Sequence, residues 1–226
     1  MSMTVGHTVS ACGVNPLGIT VKQESLVLQG GENVEKYPYC IIKMTGNGNL
    51  KGDIRHLFSR YGTIKGKPSI WGAIRIILVK PGVQALIFYR FYRKLYKLKL
   101  RLLAEFCSRL NFFFNGSEID PGAEIGSGCR LWHPAGVVIG RGVKIGNNVS
   151  IFSNVTLGGL GHSIFHHGEP GYPEIGDNVI LYTNVTVLGP VKIGNNTTIG
   201  AHSLILESFP DNCLVAGIPA KVIKSF

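Results

Sequence analysis

From Ile119 to the C-terminus the apolar positions recur every six residues. Aliphatic side chains fall at Ile119, Ile125 and Leu131, then at Ile139, Ile145, Ile151 and Leu157, then at Ile175, Leu181, Val187, Ile193, Ile199 and Ile205. Glycine follows the aliphatic at Gly126, Gly140, Gly146, Gly158, Gly176, Gly194 and Gly200. A small or branched residue sits four places after it at Ala123, Val143, Val149, Val155, Val179, Val185 and Thr197. Neither the helical period of 3.6 nor the strand period of 2 produces this pattern. A hexapeptide period predicts a parallel β-helix, in which each hexad is one flat side plus a corner and three hexads close a triangular coil. The aliphatic then points inward and stacks on its equivalents one coil away, at roughly the 4.7–4.9 Å strand spacing. The pairs Asn147-Asn148, Asp177-Asn178 and Asn195-Asn196 suit corners that need compact or left-handed backbone.

The period is broken twice. Leu131 to Ile139 is a step of eight, placing a bulge near Ala135 and Gly136, and residues 160–174 leave the pattern as an excursion loop. Upstream the pattern turns helical over residues 53–116. Ile54, Leu57, Phe58 and Tyr61 recur at i, i+3, i+4 and i+7, and Pro81-Gly82 separates a second helical run from a third, Leu86 to Phe114. That third run is apolar on one face and carries Arg90, Arg93, Lys94, Lys97, Lys99, Arg101 and Arg109 on the other. Residues 1–52 show neither period and are read as a poorly defined N-terminal extension. The organisation expected is an extension over 1–52, an α-helical domain over 53–116, and a β-helix over 117–226.

Composition adds limits. The chain has 226 residues, enough for a substantial core, and 30 glycines without the three-residue repeat of collagen. A net charge of +10 admits a polyanion or an anionic membrane surface as partner. The cationic helix reads either as such a docking strip or as a solvated face beside a subunit contact. No recognition helix, zinc finger or RNA-binding signature accompanies the charge, so nucleic acid is not expected. Five scattered cysteines (Cys12, Cys40, Cys107, Cys129 and Cys213) lack CxxC or disulfide-framework spacing and point to a reducing compartment. The N-terminus has no secretory pattern, and the most apolar stretch, 70–92, is interrupted by Arg75, Lys80, Pro81 and Arg90. A cytoplasmic protein is expected.

The segment Leu131-Trp132-His133-Pro134-Ala135-Gly136 sets a titratable side chain at the irregularity of an otherwise regular solenoid, which is either a functional site or a surface histidine. His162, His166 and His167 cluster in the excursion loop. Without a carboxylate or cysteine at ligand spacing they are read as shaping an acceptor site, with no metal expected. His202 reads as a surface or groove residue at a late corner.

Residues 53–226 resemble the serine O-acetyltransferase branch of the hexapeptide-repeat acyltransferases, a left-handed parallel β-helix preceded by a small α-helical domain. The likeness rests on Asp53-Ile54-Arg55, Pro81-Gly82-Val83-Gln84-Ala85-Leu86, Arg109-Leu110-Asn111, and the segments WHPAGVVIG, NVTLGG and VAGIPAKVI. It implies acetyl transfer from acetyl-CoA to a hydroxyl in a homotrimer, with active sites between subunits. His133 would be the general base and Glu118, one methylene longer than the family's Asp, its orienting carboxylate. Gly158 and Gly159 are either oxyanion-stabilising amides or a turn into the loop. By matched position Thr183, Ala201 and Lys221 would line the acetyl-CoA groove.

The departures carry the substrate expectation. Serine-using members have an Asp before the catalytic histidine and an Arg-His pair before the proline that ends the loop. This chain has Trp132 and Gly171-Tyr172 at those positions. With the amino-acid clamp replaced by Trp132 and Tyr172, and His166 and His167 close by, the expected acceptor is a sugar hydroxyl of a surface polysaccharide. The basic helical face would then lie at the inner membrane surface. The competing readings are a serine O-acetyltransferase with an altered pocket, in which Arg130 or a loop histidine replaces the missing cation, and a non-catalytic trimeric scaffold.

Overall fold

The computed structural model describes residues 4–14, 20–29, 36–42, 63–64, 67–68, 70–160 and 171–226. Two compact units result, Met1–Thr45 and Gly46–Phe226. In the first, β1 (Thr4–Val14), β2 (Thr20–Gln29) and β3 (Lys36–Ile42) form an antiparallel sheet in the order β1-β2-β3. Residues 1–52 therefore contain strands that no period announced. β2 runs Thr-Val-Lys-Gln-Glu-Ser-Leu-Val-Leu, polar over its first half and continuously apolar over its second, and so never shows a period of two.

The described part of the second unit begins with a two-stranded pair, β4 (Thr63–Ile64) and β5 (Lys67–Pro68), followed by α1 (Ile70–Val79), α2 (Pro81–Lys97) and α3 (Arg101–Asn115). The helix expected over Ile54–Tyr61 lies outside the described residues. Pro81 starts α2, where its missing N–H costs no hydrogen bond. The run expected as one helix from Leu86 to Phe114 is broken at Leu98–Leu100. Lys99 takes φ +64°, its N–H donates to the Tyr96 carbonyl, and the Leu100 N–H donates to the Leu95 carbonyl. This is a Schellman stop with lysine where glycine is usual. α3 ends on Gly116, also left-handed at φ +68°.

The coil follows as β6 (Glu118–Ile119), β7 (Glu124–Ile125), β8 (Arg130–Leu131), β9 (Val138–Ile139), β10 (Lys144–Ile145), β11 (Ser150–Ile151), β12 (Thr156–Gly158), β13 (Glu174–Ile175), β14 (Ile180–Leu181), β15 (Thr186–Leu188), β16 (Lys192–Ile193), β17 (Thr198–Ile199), β18 (Leu204–Ile205), β19 (Cys213–Gly217) and β20 (Ala220–Ser225). Three sheets form the sides: sheet A is β7-β10-β13-β16, sheet B is β8-β11-β14-β17-β19-β20, and sheet C is β6-β9-β12-β15-β18. All pairings are parallel except the closing β19-β20 hairpin. This is the left-handed parallel β-helix with a preceding helical region. One coil advances 18 residues from Val138 to Thr156, 20 from Arg130 to Ser150 across the bulge, and 30 from Lys144 to Glu174 across the excursion loop.

Every aliphatic of the hexapeptide series from Ile119 to Ile205 is buried, as are the small residues between them. The corners use the Asn and Asp pairs twice. The second member takes positive φ, as at Asn148, Asn178 and Asn196, and its amide joins a ladder from Asn148 to Asn178 to Asn196 to Asn212. The first member's oxygen accepts the backbone N–H of the coil before it, as Asp177 does from Asn147 and Asn195 from Asp177. Side-chain amides thus satisfy backbone groups that each corner would otherwise leave orphaned.

The α2 helix is fastened to the coil by its aromatic and basic side chains. Tyr89 Oη donates to the Ala123 carbonyl at 2.8 Å, Tyr92 Oη to Ile119 at 2.9 Å, and the Arg90 guanidinium to Ile125 and Gly126. Gly82 allows the close approach, since a Cβ there would strike the Leu131 carbonyl. Burial pushes both phenols above their ordinary range, so they keep their protons, and these two hydrogen bonds, into alkaline pH.

Candidate active site

His133 follows β8 at the corner between sheets B and C, on the turn that absorbs the two extra residues. The turn is tied down at both ends, Trp132 N–H donating to the Ile151 carbonyl at 2.9 Å before the histidine and, after it, Gly136 N–H to the Gly116 carbonyl at 2.9 Å and Asn154 N–H to Ala135 at 3.0 Å. Pro134 is buried beneath it while His133 itself is exposed. The imidazole is thus held at the surface on an anchored turn, the disposition a general base requires.

Sheet B's register aligns Leu131, Ile151, Leu181 and Ile199 across successive coils. Two residues beyond the last three stand Ser153, Thr183 and Ala201; the corner bonds from Asn154 N–H to Ala135, Asn184 N–H to Ser153 and His202 N–H to Thr183 set Ala135 in line with them, and His133 lies in the two-residue bulge at the same edge of the prism. Ser153 Oγ and Thr183 Oγ1 are 3.4 Å apart along it. At one strand spacing per coil, Ala201 lies roughly 14 Å from His133. Lys221 is exposed on β20 opposite Ala216, beyond the last of these coils. His133, Thr183, Ala201 and Lys221 thus form one track.

Trp132 belongs to a second column one position earlier. Its ring stacks on Phe152 at 5.8 Å, and Phe152 stacks on Tyr182 at 5.0 Å. The Arg130 guanidinium lies 5.9 Å from the Trp132 ring centre. Phe152 and Tyr182 escaped the sequence reading because the bulge and the loop hide their alignment with Trp132.

Other expected site residues lie elsewhere on the chain. Gly158 ends β12 and Gly159 follows it, at the far edge of sheet C from His133, where the excursion loop begins. Tyr172, at the loop's end, lies with its ring against Gly140, Gly142 and Gly159, and a Cβ on Gly142 would collide with it. His162, His166 and His167 lie outside the described residues. Glu118 is exposed on β6, and among the described residues no hydrogen bond joins it to His133. A cleft of about 1240 Å³ between α2 and sheet A, lined among others by Lys94, Lys97, Lys144 and Asn195, contains none of the expected site residues.

A hexapeptide coil with an anchored, exposed histidine at a corner defines a hexapeptide transferase, and the family description "Bacterial transferase hexapeptide (six repeats)" matches residues 172–207. The chain is 37% identical over 175 residues to the serine acetyltransferase of Staphylococcus aureus strain Mu50, covering 77% of this chain and 78% of that one. It is 36% identical over 174 residues to the serine acetyltransferase of Synechococcus elongatus, covering 77% and 67%. The solved structure of a serine acetyltransferase from Brucella abortus in complex with coenzyme A superposes with a TM-score of 0.67 at 30% identity, covering 78% of this chain and 66% of that one. The chain belongs to the serine acetyltransferase family, and it is an acyltransferase with acetyl-CoA as donor.

These relatives overturn the expected sugar acceptor of a surface polysaccharide, since they are serine enzymes. Trp132 has one ring face covered by Phe152, and Tyr172, though 39% exposed, has its ring against Gly140, Gly142 and Gly159 at the edge of sheet C away from His133, so the two aromatics do not come together as one sugar platform within the chain.

Proposed function

We propose that the chain transfers the acetyl group of acetyl-CoA to the hydroxyl of L-serine, giving O-acetylserine and free CoA. The observation that carries this is the 37% identity to a serine acetyltransferase over 78% of that enzyme. His133 takes the hydroxyl proton as the serine oxygen attacks the thioester carbonyl. The tetrahedral intermediate then collapses, and the same proton goes to the departing CoA sulfur. The track from His133 past Ser153 and Thr183 to Ala201 suits an extended pantetheine arm, with exposed Lys221 at its far end for a phosphate.

His133 and the Gly158-Gly159-Tyr172 group occupy opposite edges of sheet C, which supports a trimer in which one subunit's histidine edge meets its neighbour's loop edge. Gly158 and Gly159 then supply backbone amides to the neighbour's oxyanion. Glu118 is the orienting carboxylate by matched position. Arg130, at the His133 corner, is the cation for the serine carboxylate in place of the family's Arg-His pair.

The test is thiol release from acetyl-CoA by the purified protein with L-serine, D-serine, L-threonine and a sugar panel. Release with L-serine at least tenfold above the others supports the reading. Release with a sugar and none with serine overturns it. Arg130→Gln is expected to raise the serine KM with little change in that for acetyl-CoA.

A further inference from the structure

The turn that carries His133 is gripped by the two helices as well as by the coil. Before it, Gly82 in the first turn of α2 lies so close to the Leu131 carbonyl that a Cβ would strike it. After it, Gly136 N–H donates to the carbonyl of Gly116, the left-handed residue that ends α3. The chain from Leu131 to Gly136, His133 included, therefore spans from the start of one helix to the end of the other. The spacing of those helix ends sets the span.

Asn111 fixes that spacing. Its side chain is fully buried, and its amide donates to the Ala85 carbonyl of α2 at 3.2 Å and to Tyr92 Oη at 3.3 Å. Its Oδ1 accepts from Asn115 Nδ2 at 2.9 Å, one turn further along α3 and adjacent to Gly116. One side chain thus links the turn of α2 that follows Gly82 to the turn of α3 that delivers Gly116. Asn115 is buried too, and among the described residues its Oδ1 has no partner, so the bond to Asn111 is its one side-chain bond there. Burying two amides is costly, and their bonds only offset the desolvation. What such a network adds over apolar packing is a single defined register between the helices.

We infer that Asn111 is a positioning residue for His133, holding the ends of α2 and α3 at the separation that keeps the histidine's turn in one conformation. It acts through Gly82 on Leu131 and through Gly116 on Gly136, and touches neither the imidazole nor a substrate. The acetyl-CoA track runs from His133 into the later coils, away from Gly82 and Gly116, which pack on the first. Loss of the link therefore falls on kcat and spares acetyl-CoA binding. The inference rests on the reading of His133 as the base.

The experiment pairs kinetics with a readout of the imidazole that needs no turnover. Full-length protein labelled with carbon-13 histidine gives a His133 ring signal in NMR, assigned by its loss in His133→Ala. Asn111→Leu removes the amide bonds and keeps a branched side chain in the helix pair. Its kcat with L-serine is expected to fall roughly tenfold, with cooperative melting, an acetyl-CoA KM within about twofold of wild type, and a broadened or doubled His133 signal. Gly116→Ala, strained at φ +68° although its Cβ would meet only Ala135 at 3.6 Å, should reproduce this pattern. Gly116→Asn, which tolerates left-handed backbone, should return it to wild type. A folded Asn111→Leu with wild-type kcat or an unmoved His133 signal overturns the inference. So does a fall in kcat matched by a rise in acetyl-CoA KM, which marks a general loosening of the coil. If Asn111→Leu does not fold, the Gly116 pair decides, and equal behaviour of alanine and asparagine there overturns it. Absence of thiol release by the wild type with L-serine defeats the serine reading separately and leaves the His133 signal to decide this one.

Discussion

The rings of Trp132 and Phe152, one coil apart on sheet B, stack with centroids 5.8 Å apart and planes 15° from parallel. Trp132 immediately precedes His133, so what fixes the indole also fixes the base of the histidine's turn. Phe152→Ala removes two aromatic pairs, with Trp132 and with Tyr182, each worth about 0.5–1.5 kcal/mol, and leaves the Trp132 ring without its stacking partner. The expected result is a lower kcat with nearly unchanged acetyl-CoA KM, because positioning of a base is felt in the transition state. An unchanged kcat would confine the aromatic column to a structural role.

His133→Ala should abolish turnover, a loss of about 10²–10⁴-fold or more, while thermal stability stays close to wild type because the imidazole is exposed. Pro134 and the backbone bonds of the turn hold the corner without it. A variant keeping more than a few per cent of kcat would remove His133 from the role of base. Glu118→Gln separates orientation from chemistry in the same assay. A fall in kcat keeps Glu118 in the dyad, and no change removes it.

The β-helix was legible in the sequence because its core is a single column of aliphatics at a fixed step, and the corners because Asn and Asp pairs recur at that step. Lys99 shows what was not legible. It ends α2 in a conformation that glycine usually adopts, so the run from Leu86 to Phe114 read as one helix. The aromatic column was hidden for a different reason. Trp132, Phe152 and Tyr182 are spaced by 20 and then 30 residues, and only the observed pairing of Ser150 with Arg130 and Ile180 shows them to be neighbours. The sugar expectation rested on Trp132 and Tyr172 standing where serine-using members carry charged residues, and the serine acetyltransferase relatives overturn it.

Alkaline pH should destabilise the helix–coil junction. Tyr92 and Tyr89 hold their protons in the folded state above the ordinary phenol value, chiefly because burial penalises the phenolate. In the unfolded chain they ionise near about 10. The unfolded state therefore binds fewer protons above that pH, and stability, fully present below it, declines as pH rises toward the folded values. Urea unfolding from pH 8 to 11 should show this decline, and Tyr92→Phe should flatten it. At neutral pH the same variant should cost about 1 kcal/mol, since the Ile119 carbonyl loses one of its two donors, keeping Ser108 Oγ, and the Asn111 amide loses one of its acceptors.

Asn178 joins both functions of a corner. Its backbone sits at φ +58°, and its side chain links Asn148 at 3.3 Å to Asn196 at 3.0 Å. Asn178→Ala places a residue with poor access to left-handed backbone there and cuts the ladder, so a loss of about 1–3 kcal/mol is expected. Asn178→Gly relieves the backbone term while still removing the amide. Its cost should be smaller, and the difference between the two variants in chemical denaturation measures how much of the corner's stability is conformational. Equal losses would mean that the ladder, and not the left-handed backbone, is what the coil requires at this position.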